Sequence, residues 1–468
     1  MSHTTYLDYI RQFFSSPQEF ENFRTSINQA LPRTLSLVQS RNSGEQTIQE
    51  LAQQGFHAVV SDYNTSNYSI LQDTSWEQTI PLGKTKEHLL GYFYIQETAA
   101  SLPASVIEIP MTGNILDMCA APWGKTIQLA DRCKISWSQA LVRANDPDSK
   151  RLVSLWANLT RTGMENVVTT QRDGTQIGNI LPEQFDAILL DAPCSGEGTG
   201  FKSDFGTKFR DIKKVEKIAK VQQQLLISAV KACKTGGQII YSTCTTNPIE
   251  NEMNVAWIMD KYPWVLELEK IEISWLSSGL TIDHPQSNHI QQHTKRLWPH
   301  TQGTGWFFLC ILRKKQALPK WLPIQLKGSS KFSLCNQQQV QDWLAQQFGI
   351  SVPKNIVFVQ SKHQIYATRD QIIPYISSYQ WDRPWLPVIK WEKISDWRLL
   401  HGAGLVFQFP QDHYLELDEQ QIRAHIDQQA IPTDAPQKGY VQLLRKGKPA
   451  GVGKVVDGYI KNKFTWVL

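Results

Sequence analysis

Four aspartates and two cysteines carry the chemistry this sequence offers. Asp117 lies within the run NILDMCA (114–120). Asp146, Asp173 and Asp191 close the next three apolar runs, QALVRAND (139–146), NVVTTQRD (166–173) and FDAILLDAP (185–193). Carboxylates collected at the ends of successive strands face one crevice, where an open parallel sheet binds its ligand. The second acid stands 29 residues after the first, a spacing that suits ribose hydroxyls. Between them, CAAPWGKT (119–126) reads as a small-residue turn feeding a helix, where backbone N–H groups can approach a ligand closely. Two cysteines share this setting: Cys194 follows Asp191-Ala192-Pro193, and Cys244 ends YSTC. A thiol whose pKa is lowered is a nucleophile for conjugate addition, whereas a lone cysteine elsewhere is more often a small buried hydrophobe. The second reading holds for Cys133, Cys233, Cys310 and Cys335.

The elements that must position these groups are legible as alternation. Six short β-branched runs, from NILDMCA through GGQIIYSTC (236–244) to GWFFLCILRK (305–314), alternate with helical stretches, which predicts a parallel, doubly wound sheet. In KVEKIAKVQQQLLISAVKACKTGG apolar residues recur at helical spacing, and Gly236–Gly237 is expected to end the helix. Residues 1–85 read as a mixed α/β cap with strands at 35–40 and 57–63 around a helix at 45–56; residues 86–315 hold the alternating pattern. A linker follows at 316–330, and residues 331–468 form a Trp-rich tail.

Composition narrows the function classes. The 468 residues carry 41% apolar and 19% charged side chains, so the chain buries a real core. A net charge of +5 permits a nucleic-acid partner without demanding one. No two of the seven cysteines are closer than eleven positions, so no CxxC metal or redox pair is present and no metal is expected. No apolar run approaches a membrane helix, and a reducing cytosol is the expected compartment. The phosphate-loop pattern is not met, because Gly113 is too distant from Gly124-Lys125-Thr126; an ATPase is disfavoured.

LDMCAAPWGKT (116–126), LLDAPCSGEGTG (189–200) and IIYSTCTTNPIENE (239–252) closely resemble the cofactor, Pro-Cys and Thr-Cys motifs of the Nop/Sun family of RNA cytosine-C5 methyltransferases. PLGKTKEHLLGYFYIQETAAS (81–101) looks like that family's lead-in segment, and TKRLWPHTQGTGWFFLCILRKK (294–315) like its last strand pair. The resemblance implies a Rossmann-like α/β methyltransferase sheet with an N-terminal α/β RNA-binding cap and a PUA-like β-rich C-terminal domain. It implies that S-adenosylmethionine binds the loop of Cys119, Ala120, Ala121, Pro122, Trp123, Gly124 and Lys125 together with Asp146, Asp173 and Asp191. It makes Cys244 the nucleophile and Cys194 the aid to product release, with Asp191 assisting as an acid. DNA cytosine methyltransferases use the Pro-Cys position instead, so this assignment rests on the family. The tail is similar to that of bacterial enzymes that methylate small-subunit ribosomal RNA, which implies 16S rRNA as the substrate, while transfer RNA is a second candidate substrate.

Departures from the family pattern open an alternative. Trp123 stands where the family usually has glycine, and an RNA-binding assembly factor with weak or lost catalysis is the competing reading. Retention of both Cys194 and Cys244 favours the enzyme. RNA contacts are expected from Arg33 in the cap and from KGYVQLLRKGKPAGVGKVVDGYIKNK (438–463), whose Lys438, Arg445, Lys446, Lys448, Lys454, Lys461 and Lys463 face one Asp. The stretch 202–220, with seven Lys/Arg, fits a solvated helix face as well as it fits RNA. The Trp cluster at 381–397 reads as a small-domain core.

Overall fold

The computed structural model describes residues 6–27, 29, 31, 33–41, 44–61, 64–72, 80–121, 124–196, 212–319, 323–324, 331–376, 386–391 and 397–462. Pro122, Trp123, Trp381, Trp385 and Lys463 lie outside the described residues.

The central sheet is built from strands whose side chains are buried on both faces, as expected where helices cover a sheet on each side. Val167–Thr170, Leu141–Asn145, Asn114–Asp117, Phe185–Asp191 and Cys233–Thr243 lie side by side in that order, all parallel. The strand order reverses between Asn114–Asp117 and Phe185–Asp191, the switch point at which such sheets bind ligands. The sixth run departs from expectation. Phe307–Lys314 runs antiparallel to Cys233–Thr243 and is flanked in turn by antiparallel Thr294–Leu297 and Leu266–Glu269. Seven of its eight residues are buried, and a strand covered on both faces looks the same in sequence whichever way it runs.

The glycine pair also departs from expectation. The helix ends at Ala232 and the strand begins at Cys233, so Gly236 and Gly237 lie inside the strand. They sit where the pairing with the neighbouring strand slips, Phe185 facing Cys233 but Ala187 facing Gln238. Gly236 has φ +84°, and a Cβ on Gly237 would stand 2.7 Å from Cys233 Sγ and 2.8 Å from the Asp186 carbonyl. The pair thus permits a bulge and a close backbone passage. Along the same helix Lys213, Lys214, Lys217 and Lys220 are exposed while Val215 and Ala219 are buried, a solvated face.

The cap is a four-stranded antiparallel sheet in the order Phe56–Ser61, Asn64–Gln72, Arg33–Leu37, Phe93–Ile95. Its last strand comes from beyond residue 85, so the sheet reaches into the segment read as the start of the catalytic region. The tail holds two five-stranded sheets. In the first, half-buried Trp397 packs edge-on to Trp343 and lies near Trp391, as the core reading of these residues expects. In the second, Gly439–Arg445, Lys448–Val456 and Tyr459–Asn462 are joined by turns at Lys446-Gly447 and Asp457-Gly458, all four with positive φ. Such two-residue turns match the twist of a hairpin.

Ion pairs hold the tail to the rest. Arg445, expected on RNA, is instead 2% exposed, with Glu50, Glu87 and Glu419 at 2.8, 3.4 and 2.9 Å. Its guanidinium is spent on carboxylates from the cap and the lead-in helix and is shielded from a phosphate. Lys446 pairs with Glu50 at 2.7 Å but keeps an exposed side. Arg33, Lys438, Lys448, Lys454 and Lys461 are exposed, and Lys454 lies 5.4 Å over the Tyr440 ring. A second joint sets Glu165 between Lys134 (2.7 Å) and Arg369 (2.8 Å). Burial works against the Glu165 charge, but the two cations outweigh it and hold the carboxyl down at about 2, against an ordinary 4.5. A depressed carboxyl stabilises the fold above its unfolded pKa and loses that contribution as pH falls through its folded one. Glu165→Gln is therefore expected to cost on the order of 2–3 kcal/mol at pH 7. Urea midpoints of the two proteins should converge as pH falls from 4.5 toward 2; a pH-independent gap would show that the charge is not what matters. No helix among the described residues is long and apolar enough to cross a membrane.

Candidate active site

The carboxyl ends of the parallel strands bring the predicted groups into one crevice. Cys194 Sγ and Cys244 Sγ stand 3.0 Å apart. They follow neighbouring parallel strands in which Asp191 pairs with Ser242, so the sheet register sets the two thiols face to face. Asp191 is held from both sides: Ser242 Oγ donates to its Oδ1 at 2.9 Å, and Lys125 Nζ meets its Oδ2 at 2.8 Å. Lys125 also lies 5.5 Å from the centre of the Phe307 ring. Burial works against the Lys125 ammonium, but Asp191, Asp117 and Cys244 hold its pKa above the usual lysine range.

The two thiols are not equivalent. Cys194 is held well above the ordinary thiol range, first by its hydrogen bond to Cys244, then by burial and by the charges of Cys244, Glu250 and Asp191. These surroundings disfavour a Cys194 thiolate. Cys119 is also raised well above that range, by burial and then by Asp117, Asp191 and Asp146, and an electronegative site of this kind disfavours a thiolate.

The turn after the first strand is tied down by the acids around it. Asp146, 1% exposed, accepts from Ala121 N at 3.2 Å and Asp148 N at 2.9 Å and meets Arg151 at 3.4 Å. The Ala120 N–H donates to the Asn145 carbonyl at 2.8 Å. Asp117 accepts from Thr126 Oγ1 at 2.6 Å; burial carries its pKa to about 7, and its second oxygen is buried without a hydrogen bond. Asp173 is exposed and caps the helix Gly174–Ile180 through Thr175 N at 2.9 Å. Gly124 faces the Gln96 carboxamide, which follows the cap strand Phe93–Ile95: a Cβ there would stand 2.8 Å from it and would make that side chain shift. Among the described residues, then, Cys119, Ala120, Ala121, Gly124, Lys125, Asp146 and Asp191 converge, with Asp173 at the outer rim.

Sequence reasoning passed over the scaffold behind the thiols. Glu250 is 0% exposed and accepts from Ser195 N at 3.0 Å, from Ser195 Oγ and from Gln222 Nε2 at 2.8 Å. Gln222 also donates to the Pro193 carbonyl at 2.9 Å. A signal was available: Gln222 falls on the apolar stripe of its helix with Val215, Ala219, Leu226 and Ala229, where a polar side chain needs a buried partner.

Comparison with known proteins agrees with this geometry. Residues 105–313 match the family described as 16S rRNA methyltransferase RsmB/F, and residues 413–465 match the methyltransferase RsmF PUA domain. The chain is 27% identical over 467 residues to ribosomal RNA small subunit methyltransferase F of Cronobacter sakazakii, covering 98% of this chain and 94% of that one. It is 28% identical to the protein of the same name from Escherichia coli O157:H7, covering 99% and 96%. Among solved structures it resembles a methyltransferase homolog protein from Pyrococcus horikoshii, with 26% identity, TM-score 0.54, and coverage of 66% of this chain and 98% of that one. The paired thiols and the acid-lined switch point lie in the region that matches the RsmB/F family of 16S rRNA methyltransferases, and the terminal β-rich module lies in the segment that matches the RsmF PUA domain.

Proposed function

We propose that this enzyme methylates C5 of a cytosine in 16S ribosomal RNA, using S-adenosylmethionine, through a covalent bond between Cys244 and C6 of the base. The observation that carries this reading is the 3.0 Å approach of two cysteine sulfurs beside the Lys125–Asp191 pair. One acyl or phosphoryl transfer site needs no second thiol; a reaction that first makes and then breaks a carbon–sulfur bond has work for two.

The crevice fits the cofactor. Asp117, Asp146 and Asp191 all act on Cys119, and such a carboxylate-rich pocket suits a ligand with a positive sulfur, an ammonium and ribose hydroxyls. Lys125, the backbone of Cys119–Ala121, Asp146 and Asp173 would hold it, and it supplies the methyl group as an electrophile. The chain's own residues do the rest. The Cys244 thiolate adds to C6, and the ring electrons displaced by the new S–C6 bond make C5 nucleophilic. Asp191 is assigned to ring N3, where a proton assists the addition. Once C5 carries the methyl group, a base takes the C5 proton, the C5–H electron pair reforms the C5–C6 double bond and the S–C6 pair returns to the Cys244 sulfur. The target base must leave its stack to enter the crevice, so an accessible or remodelled RNA segment is the substrate. Exposed Arg33, Lys438, Lys448, Lys454 and Lys461 are assigned to RNA phosphates, and the cytoplasm is the expected location.

Bisulfite sequencing of 16S rRNA from cells with and without this gene should show one protected cytosine that is lost on deletion; identical profiles overturn the reading. Asp146→Ala should weaken S-adenosylmethionine binding by on the order of 1–3 kcal/mol in calorimetry, the scale of hydrogen bonds to a charged group. Wild-type affinity in that variant would remove Asp146 from the ribose.

A further inference from the structure

We propose that Glu250, acting through Ser195 and Gln222, is the positioning residue that sets Cys194 against Cys244 for the release half of the reaction. The inference rests on the methyltransferase reading above and assigns a role to a residue that touches neither base nor cofactor. Its buried carboxylate accepts from a backbone N–H, a hydroxyl and an amide. Removing a carboxylate from water is costly unless such donors compensate it, so the charge here has a structural consequence. Two of the three donors belong to Ser195, the residue after Cys194. The third, Gln222, holds the Pro193 carbonyl on the other side. The turn Pro193–Cys194–Ser195 is thus gripped at both ends by one network. Thr245, the residue after Cys244, joins it through a 3.0 Å hydroxyl–hydroxyl contact with Ser195 Oγ. Both thiol-bearing turns are therefore referred to the same buried carboxylate.

The network also bears on which thiol carries a proton. The groups that act on Cys194 are Cys244, Glu250 and Asp191, and Tyr241 lies close enough to feel Cys194 and Glu250 in turn. All of the carboxylates among them oppose a second negative sulfur. Cys194 is thereby biased toward the thiol, whose proton can pass to the departing Cys244 sulfur as Cys194 takes up the C5 proton when the adduct is resolved.

The test compares wild type, Glu250→Gln, Glu250→Asp and Gln222→Met. In the free protein, iodoacetamide alkylation of Cys194 is followed by peptide mass spectrometry across pH. Glu250→Gln should raise the rate at Cys194 at neutral pH by about tenfold, one pKa unit, while Glu250→Asp, which keeps the charge, should stay near wild type. With RNA and S-adenosylmethionine, Glu250→Gln and Gln222→Met should lower kcat by on the order of 10–100-fold with little change in KM, the scale of a misplaced proton-transfer group, and should accumulate the covalent RNA band. If Glu250→Gln fails to fold, Gln222→Met carries the same kinetic test. An unchanged Cys194 alkylation profile together with wild-type turnover and no accumulated band overturns the proposal. The alkylation arm needs neither RNA nor cofactor. The wild-type arm reads methylation itself. A failure of the Glu250 role and a failure of the methyltransferase reading are therefore separate results.

Discussion

Cys244→Ala is expected to abolish both methylation and the covalent RNA adduct, whereas Cys194→Ala is expected to keep adduct formation and lose release. This is the sharpest expected result, because the two sulfurs are only 3.0 Å apart and a purely structural pair would respond alike. Addition to C6 precedes methyl transfer. Without the Cys244 thiol no S–C6 bond forms, and turnover should fall by on the order of 10⁴-fold or more, the scale for a lost covalent nucleophile. Cys244→Ser should behave the same way, since a hydroxyl at neutral pH is a far weaker nucleophile than a thiol. The hydrogen bond to Cys244 and burial disfavour a Cys194 thiolate, and Cys194 is assigned to the later step, when the C5 proton leaves. Its alanine variant should therefore trap RNA through Cys244, seen on a denaturing gel as a nuclease-sensitive band of raised mass. The double mutant should show none. If the band appears in Cys244→Ala and vanishes in Cys194→Ala, the roles are reversed. If neither variant loses turnover, the thiols are structural and the adduct mechanism fails.

How much of this could be read from the sequence follows from what each signal depends on. Strand-end acids and the two cysteines are local: each sits where an apolar run stops, and the parallel register then brings Asp191, Cys194, Ser242 and Cys244 together. The doubly wound core was legible for the same reason. The direction of Phe307–Lys314 was not, because burial on both faces erases the alternation that marks an antiparallel strand. The Gly236–Gly237 pair misled because a glycine that ends a helix and a glycine that admits a bulge look alike; only the contact with Cys233 and Asp186 decides between them. The cap strand Phe93–Ile95 is three residues long, too short to carry a period, yet it brings Gln96 against Gly124.

The site was legible at its reacting atoms and silent behind them. Glu250 lies in a quoted motif, but only the fold places Ser195 and Gln222 around its carboxylate, at sequence separations of 55 and 28. Charge was the least transferable signal. Seven basic residues near the C-terminus read as one RNA-facing stretch, yet a strand shows alternate residues to opposite faces. Lys454 and Lys461 point outward, while Arg445 points into the joint with the cap.

That joint leads to the second large effect. Arg445→Ala should destabilise the protein by about 3–5 kcal/mol, the usual cost of leaving buried partners of an ion pair uncompensated. Glu50 and Glu87, 5% and 0% exposed, would lose the guanidinium that bridges them, keeping Lys446 at 2.7 Å and Lys86 at 3.7 Å; Glu419, half exposed, can turn to water. Burial already holds the Glu87 carboxyl above its ordinary value, so removing the cation should push it further and favour its protonation. Leu90 and Tyr92 pack in the same place against Leu417, Ile422, Val441 and Leu443, so the loss spreads into an apolar contact between the lead-in segment and the terminal sheet. Thermal melts should drop for Arg445→Ala and recover in part when Glu87→Gln is added. Lys448→Glu, Lys454→Glu and Lys461→Glu should do the opposite: they leave the melt near wild type, weaken RNA binding and flatten its dependence on salt, because each removes a phosphate contact. A deletion of residues 325–468 cannot separate these effects, since it removes the exposed lysines and uncovers Leu90 and Tyr92 together. If Arg445→Ala melts like wild type but loses the salt-dependent part of RNA binding, the guanidinium reaches RNA after all, and the tail is not anchored through this ion-pair cluster.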